Sequence, residues 1–175
     1  MIKLRYFEKE DFDKMILWSP AEEFLVQWSG NTFTYPLTVE QLEAYLNKSN
    51  VEGAEQFVFS VLDAETDEMI GHISLAKIDY KNRSGRIGRV LIGNEKYRNK
   101  GIGKQMMKEI LSFGFDKLNL HRMTLGVYDF NERAIRTYEQ IGLVREGLLR
   151  EVQKVKNQYW NCIEMSMLEH EWKQR

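Results

Sequence analysis

The sequence predicts one α/β domain of the α+β type, built around a mixed, mostly antiparallel sheet of about seven strands. Its 175 residues are 43% hydrophobic and include 2 prolines, which suits a single globular core. Seven segments have strand-like patterns and five have helical patterns, with no repeat or linker between them. Their order is strand, helices, three strands, helix, strand, helix and two strands, which contains one strand–helix–strand unit around residue 101.

The first 50 residues predict one strand followed by three helices. The alternating segment MIKLRYF is the strand, and residues 10–17 form a short helix. Pro20 is suited to the first turn of the second helix, PAEEFLVQW. Thr38 and Gln41 have the spacing of a capping box and predict the start of the third helix, TVEQLEAYL.

The remaining segments predict most of the sheet. QFVFSVLD, MIGHISLAKIDY and RIGRVLIG are expected to form an antiparallel meander. From Gly101 the pattern is helical, with Ile102, Met106 and Ile110 on one side. HRMTLGVY is the next strand, and NERAIRTYEQI is a helix ended by Gly142. LVREGLL and YWNCIEMSML complete the set of strands.

The net charge of −1 is unevenly distributed along the chain. Residues 1–80 hold 6 Lys/Arg and 15 Asp/Glu, a net charge of −9, whereas residues 81–175 hold 19 and 11, a net charge of +8. Residues 81–108 alone contain 9 cations and one acid, Glu95. This distribution favours a polyanion on the C-terminal half and a cation near the N-terminal half. For any single lysine, an ordinary solvated surface charge is the better explanation, but it does not explain the asymmetry of the whole chain.

Composition and motifs exclude several classes of protein. There is no signal-peptide pattern and no apolar run long enough to span a bilayer. The lone Cys162 cannot form an intrachain disulfide or a CxxC motif, and no HxH, HExxH or Cys cluster suggests a metal. We therefore expect a cytoplasmic protein with no metal and no membrane partner. Nucleic-acid binding by residues 81–108 is a weak alternative, since the first half is acidic.

The segment EKYRNKGIGKQ joins a predicted strand to a predicted helix through Arg98-x-x-Gly101-x-Gly103. It is not a P-loop, because Arg98 stands where the first glycine is required and Gln105 where Ser or Thr is required. It is not a Rossmann fingerprint, because Met106 replaces the third glycine. Free helix amides, glycines and nearby cations still favour an anion site. A strand-to-helix turn with glycines for packing is the alternative.

Two longer segments carry a family resemblance. IGRVLIGNEKYRNKGIGKQMMKEIL closely resembles motif A of the GNAT acetyltransferase superfamily, and NERAIRTYEQIGLVREG resembles the second half of that signature. YWNCIEMSMLEHEW is similar to the end of the branch that includes the ribosomal-protein N-terminal acetyltransferases. The resemblance covers residues 70–172. It implies a single GNAT-like domain over 1–175 with helices on both faces of the sheet, acceptor-side helices in 1–50 and an acetyl-CoA-binding core in 56–175.

The resemblance also implies where acetyl-CoA, the donor, is bound. The backbone of Leu91 and Ile92 would hold the acetyl and pantetheine groups, and Asn131 would contact the pantetheine arm. Core packing and helix capping are the respective alternatives. Further cofactor positions implied by the motifs are Arg98, Asn99, Lys100, Gly101, Ile102, Gly103, Lys104, Ala134 and Tyr138.

The resemblance assigns a catalytic role to Tyr138, which would protonate the departing CoA thiolate. A tyrosine packed in an amphipathic helix is the alternative. A strand amide near Ile92 would hold the thioester carbonyl. The two strand positions at which family members carry a basic carboxylate are occupied here by Ile87 and Gly126. A general base is therefore not evident on these strands.

Glu146 is the remaining candidate for the base, since it matches a glutamate of the ribosomal-protein branch. It could instead be an ion-pair partner of Arg145 or Arg150. Base-free catalysis, with water carrying the proton and proximity supplying most of the rate, is a third option. His72 and His121 are interpreted as hydrogen-bonded histidines rather than as bases or ligands.

Together these features predict transfer of an acetyl group from acetyl-CoA to a primary amine by direct attack on the thioester. The charge of the first 80 residues favours a cationic acceptor, either a small amine or a peptide N-terminus. A homodimer is expected from the resemblance. A non-catalytic CoA-binding sensor or interaction module is the alternative, because the strand carboxylates are missing. The acceptor cleft is expected to have aromatic walls, or core residues in their place, at Trp18, Phe24, Trp28 and Tyr35.

Overall fold

The computed structural model describes residues 1–174, which form one seven-stranded sheet in the order β1-β2-β3-β4-β5-β7-β6. The β4–β5 pair is parallel and every other pair is antiparallel. The predicted meander and strand–helix–strand unit are thereby confirmed. The strands are β1 (Ile2–Tyr6), β2 (Phe57–Asp63), β3 (Met69–Asp79), β4 (Ser84–Ile92), β5 (Arg122–Tyr128), β6 (Val144–Val155) and β7 (Gln158–Leu168).

Six α-helices accompany the sheet within residues 1–174. The five predicted helices are present, and α4 continues into a π-helical segment, Phe113–Lys117, that the sequence patterns did not predict. The short C-terminal α6 was not predicted either. The bounds are α1 (Phe12–Leu17), α2 (Glu22–Ser29), α3 (Val39–Leu46), α4 (Ile102–Ser112), α5 (Glu132–Ile141) and α6 (Glu169–Lys173).

One helix start differs from the prediction, and one predicted capping box is incomplete. Pro20 lies before α2 rather than in its first turn, because Ala21 is extended and the helix begins at Glu22. The Thr38 side chain accepts a hydrogen bond from the Gln41 amide, as expected of an N-cap. The Gln41 side-chain oxygen, however, accepts from the Thr34 amide rather than from the N-cap amide, and its nitrogen donates to the Thr34 and Pro36 carbonyls. The predicted capping box is therefore only half formed.

Both faces of the sheet are covered, as the two hydrophobic clusters show. On β2, Phe57, Phe59 and Val61 belong to the cluster that includes α4 and α5, whereas Val58 and Leu62 belong to the cluster of the N-terminal helices. This alternation follows from the two-residue period of a strand. The predicted apolar side of α4 lies in the first cluster.

The sheet is divided between its two parallel strands. β4 and β5 pair only where Ser84–Arg86 faces Arg122–Thr124. Beyond that point β4 pairs only with β3 and β5 only with β7. The β3–β4 register also shifts between the Ser74–Gly88 and His72–Leu91 pairs, and Arg89 there has a left-handed φ of 52°. The facing edges of the two strands are therefore free to hold a ligand.

Candidate active site

A cleft of about 440 Å³ lies at this division, between β4, the glycine turn, α4 and α5. Eleven of the twelve predicted cofactor positions line it: Leu91, Ile92, Arg98, Asn99, Gly101, Ile102, Gly103, Lys104, Asn131, Ala134 and Tyr138. Lys100 does not line it, and its Nζ lies 6.0 Å from the centre of the Tyr97 ring. Val90, Arg133, Thr137 and Gln140 line the same cleft without having been predicted.

The glycine turn presents the N-terminus of α4 to this cleft. Gly101 is the N-cap and has a left-handed φ of 75°, which a β-branched residue would adopt only with strain. No acidic residue stands in the first turn of α4, so the partial positive charge at the helix end is not neutralised. The Arg98 guanidinium donates to the Ile92 carbonyl and to Glu95. Arg98 therefore ties the turn to β4.

The helix α5 supplies the other wall of the cleft. Asn131 Oδ1 accepts a hydrogen bond from the Ala134 amide at 3.3 Å, so this residue is the N-cap of α5. The helix ends at Gly142, which is left-handed as the sequence predicted. The capping role of Asn131 leaves its amide nitrogen without a hydrogen bond to any residue of 1–174.

Tyr138 lines the same cleft and is 8% exposed. Burial raises the pKa of its hydroxyl to about 12. The hydroxyl therefore stays protonated at neutral pH. It forms no hydrogen bond with any residue of 1–174, so its proton is available to a ligand.

A second cleft, of about 980 Å³, lies between the C-terminal end of α2, β4 and β6. Gln27 and Trp28 line both clefts, so the two cavities adjoin at α2. Of the other expected walls, Phe24 lines the first cleft, and neither Trp18 nor Tyr35 lines either one. Trp18 packs instead on Gly93, where a Cβ would lie 1.9 Å from the indole ring.

An ion pair that sequence reasoning missed crosses the second cleft. Arg86 Nη1 and Nη2 donate to the two oxygens of Glu164 at 2.7 and 2.6 Å. The two residues are 78 positions apart in the chain, so no local sequence pattern predicts their contact. β4 and β7 come close to each other only when the sheet has formed. The pair lies across Gly126 of β5, where a Cβ would be 2.5 Å from Arg86 Nη2.

The two strand positions that lack the expected carboxylate both line the second cleft. Ile87 is 1% exposed and packs in the hydrophobic core. At Gly126, a side chain would have to displace the ends of the Arg86 and Cys162 side chains. Neither position therefore supplies a base to the cleft.

Glu146 lies on β6 and lines neither cleft. Both of its oxygens accept hydrogen bonds from Arg122 at 2.6 Å, and the Ser166 hydroxyl donates a third at 2.7 Å. These bonds, Arg122 first, lower the pKa of Glu146 to about 2. The geometry favours the ion-pair interpretation, with Arg122 as partner rather than Arg145 or Arg150.

A buried polar cluster lies beneath the second cleft. His72 is fully buried, and burial, reinforced by the charge of Arg89, lowers its pKa to about 3. Its Nε2 lies 3.1 Å from the Tyr45 hydroxyl, but its Nδ1 has no hydrogen-bond partner. The prediction that His72 is a hydrogen-bonded histidine is thus correct for one of its two ring nitrogens. His121, by contrast, is at the surface, where its Nδ1 lies 3.5 Å from Glu169 Oε2.

Within the described residues, no group of three or more His, Cys, Asp or Glu side chains is placed to hold a metal ion. No helix in that part of the chain is long and apolar enough to cross a bilayer.

The structure thus combines a divided mixed sheet, two adjoining clefts and a glycine turn at a helix N-terminus, an arrangement suited to binding an anion beside a second ligand. The model of the acetyltransferase (GNAT) domain matches residues 2–144. The chain therefore belongs to the GNAT acetyltransferase family.

Relatives agree with this assignment. An uncharacterized N-acetyltransferase, YnaD of Bacillus subtilis, is 29% identical over 97% of this chain and 94% of its own. The spermidine N(1)-acetyltransferase of Vibrio cholerae is 32% identical over 78% of this chain and 76% of its own. A putative ribosomal N-acetyltransferase of Bacillus subtilis, YdaF, matches at 28% identity over 59% of this chain and 56% of its own.

Solved structures give the same result. The Vibrio cholerae spermidine N-acetyltransferase in complex with CoA and spermine has a TM-score of 0.84 at 26% identity, with 98% of each chain covered. Another structure of that enzyme is dodecameric. The protein is an acetyl-CoA-dependent N-acetyltransferase that transfers an acetyl group to an amine.

Proposed function

We propose that the cleft between β4, α4 and α5 binds acetyl-CoA and that the larger cleft binds the primary amine. The observation that carries this assignment is that eleven predicted cofactor positions, taken from two motifs that are separate in the chain, line one cavity. The adjoining cavity meets it at Trp28, close to the β4 segment that would hold the thioester. From here on, the two cavities are called the donor cleft and the acceptor cleft.

In the donor cleft, the free edge of β4 would hold the acetyl and pantetheine groups through the backbone of Leu91 and Ile92. Amides from Arg98 to Lys104 would bind the pyrophosphate, because helix N-termini favour anions. The Lys104 side chain would add charge at the same place. Lys100 would contribute its backbone amide, rather than its side chain, to pyrophosphate binding.

The chemistry requires a neutral amine and a proton for the leaving thiolate. Tyr138, protonated and free of other hydrogen bonds, is proposed as the donor of that proton. In the acceptor cleft, Glu164 is occupied by Arg86 and Glu55 is exposed at the rim. We therefore favour deprotonation of the amine through water, with proximity supplying most of the rate. A role of Glu146 as base stays a prediction.

Calorimetry with acetyl-CoA tests the donor cleft. Gly103→Val should weaken binding at least about tenfold, since a side chain at this turn would obstruct the pyrophosphate. Folding should be unaffected, because a Cβ there would lie 3.8 Å from its nearest neighbour, Ile92. Gly147→Val is the matched control, at an exposed glycine with no heavy atom within 4 Å. Equal affinity in all three proteins would refute the assignment.

The family and its named relatives favour the enzyme over the alternative of a non-catalytic CoA-binding sensor, which the lack of a base at both strand positions had suggested. A thiol-release assay with a panel of amines distinguishes the two. Turnover that falls sharply in Tyr138→Phe supports the enzyme, whereas acetyl-CoA binding without turnover on any amine supports the sensor. A cytoplasmic location also stays a prediction.

We also propose that the chain oligomerises through the outer edge of β6. This strand ends the sheet and exposes an unusual number of apolar side chains, which is typical of an interface. The dodecameric relative supports the same inference. Light scattering should give a smaller mass for Leu148→Lys than for the wild type. Of the exposed apolar side chains, Val144, Leu148 and, on β7, Tyr159 line neither cleft, whereas Leu149 and Val152 line the acceptor cleft.

The identity of the acceptor is the finer question. The spermidine relatives and the acidic first half of the chain support a cationic amine. The charged side chains that line the acceptor cleft support a different class of amine.

A further inference from the structure

The acceptor cleft has an excess of positive charge that its own residues do not neutralise. Arg86 and Glu164 neutralise each other through their two short hydrogen bonds. One carboxylate, Glu55 at the rim, then remains against three cations, Lys48, Lys77 and Arg89. The charge of −9 in residues 1–80 is thus located largely outside this cleft. The charged side chains that line it are Lys48, Lys77, Arg86, Arg89, Glu55 and Glu164.

Arg89 is the most deeply placed of the three uncompensated cations. No carboxylate within residues 1–174 forms a salt bridge with it. Its Nη2 donates to the Gln56 side chain over a long 3.3 Å, and its Nε is buried without any partner. The guanidinium carbon lies 5.1 Å from the centre of the Tyr45 ring. Arg89 as a whole is half-buried, and its guanidinium has donors that no protein group uses, so a ligand anion is its natural partner.

A second observation points to a ligand at the same place. Trp28 is 7% exposed, lines both clefts, and its indole Nε1 has no hydrogen-bond partner. Its ring lies 6.4 Å from that of His72, which in turn contacts Tyr45. The buried side-chain nitrogens that lack a partner in residues 1–174 are those of Trp28, His72 and Arg89. All three belong to this one cluster beside the acceptor cleft.

We propose that the acceptor is a small primary amine that also carries a carboxylate, and that Arg89 binds this carboxylate. The inference rests on the proposed function, since it takes the larger cleft as the acceptor site. Arg89 directly precedes Val90 and Leu91 on β4. A carboxylate held there brings the amine of the same molecule near the strand proposed to hold the thioester.

The reaction then balances without any further reagent. The amine nitrogen forms a bond with the carbonyl carbon of the thioester, and the carbon–sulfur bond breaks. The nitrogen releases one proton to water, and the CoA thiolate takes one proton from Tyr138, which is then reprotonated from solvent. The carboxylate of the acceptor stays bound to Arg89 and takes no part in bond making.

Matched pairs of acceptors test the proposal in a thiol-release assay. Lysine is compared with cadaverine, ornithine with putrescine, and phosphoethanolamine with ethanolamine, and spermidine is included as a polyamine. We expect the wild type to prefer the carboxylate member of the first two pairs by roughly 10- to 100-fold in kcat/KM. A preference for phosphoethanolamine over every carboxylate would show that the anion is a phosphate and overturn the carboxylate assignment.

Arg89→Gln should abolish this preference and leave the acetyl-CoA affinity unchanged by calorimetry. Arg89→Lys should restore part of it, and both proteins are checked for folding by thermal denaturation. Lys81→Gln is the matched control, because it removes an exposed cation that lines neither cleft.

Three results would overturn the inference. The first is faster acetylation of cadaverine, putrescine or spermidine than of the carboxylate amines. The second is an equal loss on all acceptors in Arg89→Gln. The third is acetyl-CoA binding without turnover of any carboxylate amine. Failure of the wild type to bind acetyl-CoA would instead refute the proposed function itself.

Discussion

Arg86 and Glu164 join β4 to β7 by two hydrogen bonds of 2.7 and 2.6 Å that pass across β5. β5 has a glycine, Gly126, at the crossing point, and a side chain there would meet the arginine at 2.5 Å and Cys162 at 2.8 Å. The hydrogen bonds to Glu164 stabilise the protonated guanidinium and so raise the pKa of Arg86. The pair thus fixes the inner wall of the acceptor cleft in one arrangement. Because Glu164 is bound to Arg86, the most buried carboxylate of the cleft is not available to a ligand.

Gly126→Ala should disrupt this wall. The new methyl group displaces the Arg86 guanidinium, which can move only by giving up a hydrogen bond to Glu164. We expect a loss of about 1–3 kcal/mol in the free energy of unfolding and a lower kcat/KM for the amine. Acetyl-CoA affinity should be retained. Urea denaturation and steady-state kinetics measure the two effects.

Gly147→Ala is the control for this substitution, since its Cβ has no neighbour within 4 Å and the change should stay within about 0.5 kcal/mol. Equal stability of the two variants would show that the ion pair is free to rearrange.

Gly71→Ala should be more damaging, because its obstacle is backbone. A Cβ at Gly71 would lie 2.3 Å from the Leu91 carbonyl oxygen of the neighbouring strand. β3 and β4 must then separate at the segment proposed to hold the thioester. We expect a loss of roughly 3 kcal/mol in stability together with weaker acetyl-CoA binding. A folded variant with wild-type affinity for acetyl-CoA would contradict the role given to this part of β4.

Tyr138→Phe should lower kcat by about 100-fold or more without destabilising the fold. The ring is kept, and the hydroxyl forms no hydrogen bond within residues 1–174 that could be lost. Because burial raises the pKa of this tyrosine to about 12, its ionisation should not appear in the pH–rate profile near neutrality. Kinetics across the neutral to moderately alkaline range, with thermal denaturation as the control, measure both points. An unchanged kcat would leave Tyr138 as a packing residue.

Glu146→Gln separates an ion pair from a base. The pKa of Glu146 falls from 4.5 to about 2 through its bond to Arg122, so the pair stabilises the fold above pH 4.5. That contribution is lost as the pH falls from about 4.5 to about 2. Solvent screens the pair, whose side chains are 36% and 39% exposed, so the loss at neutral pH should be at most about 1 kcal/mol.

Urea denaturation at neutral and acidic pH tests this, since wild type and variant should converge on acidification. The hypothesis that Glu146 is the general base has a separate test. If Glu146 is the base, kcat of the variant falls by orders of magnitude at neutral pH, whereas an ion-pair role leaves kcat near the wild-type value.

Local patterns were enough to predict most of the fold. The alternation of Phe57, Phe59 and Val61 and the helical spacing of Ile102, Met106 and Ile110 each depend only on near neighbours, and the structure confirms both. The start of α2 and the capping box of α3 were less predictable. Ala21 is extended, so α2 begins only at Glu22, and the Gln41 side chain binds the adjacent loop instead of completing the capping box. The π-helical end of α4 has no period that distinguishes it from the helix it extends.

The donor cleft could be anticipated because its residues fall in two short segments with characteristic spacing. Gly101 and Gly103 lie beside Leu91 and Ile92 in the chain as they do in space. The acceptor cleft could not be anticipated in this way. Its side chains come from the N-terminal helices, the central strands and the last two strands, so their proximity depends on the whole sheet.

The sequence by itself determined the elements, the family and the glycine turn that is proposed to bind the donor, because each of these is encoded by residues a few positions apart. Only the tertiary structure decided which charges meet. It placed Glu164 against Arg86, Arg122 against Glu146, and left Arg89 without a carboxylate in the acceptor cleft. The physical reason is that electrostatic interactions act over distances of a few ångströms in space, and strands 78 residues apart in the chain become neighbours only after the sheet has formed.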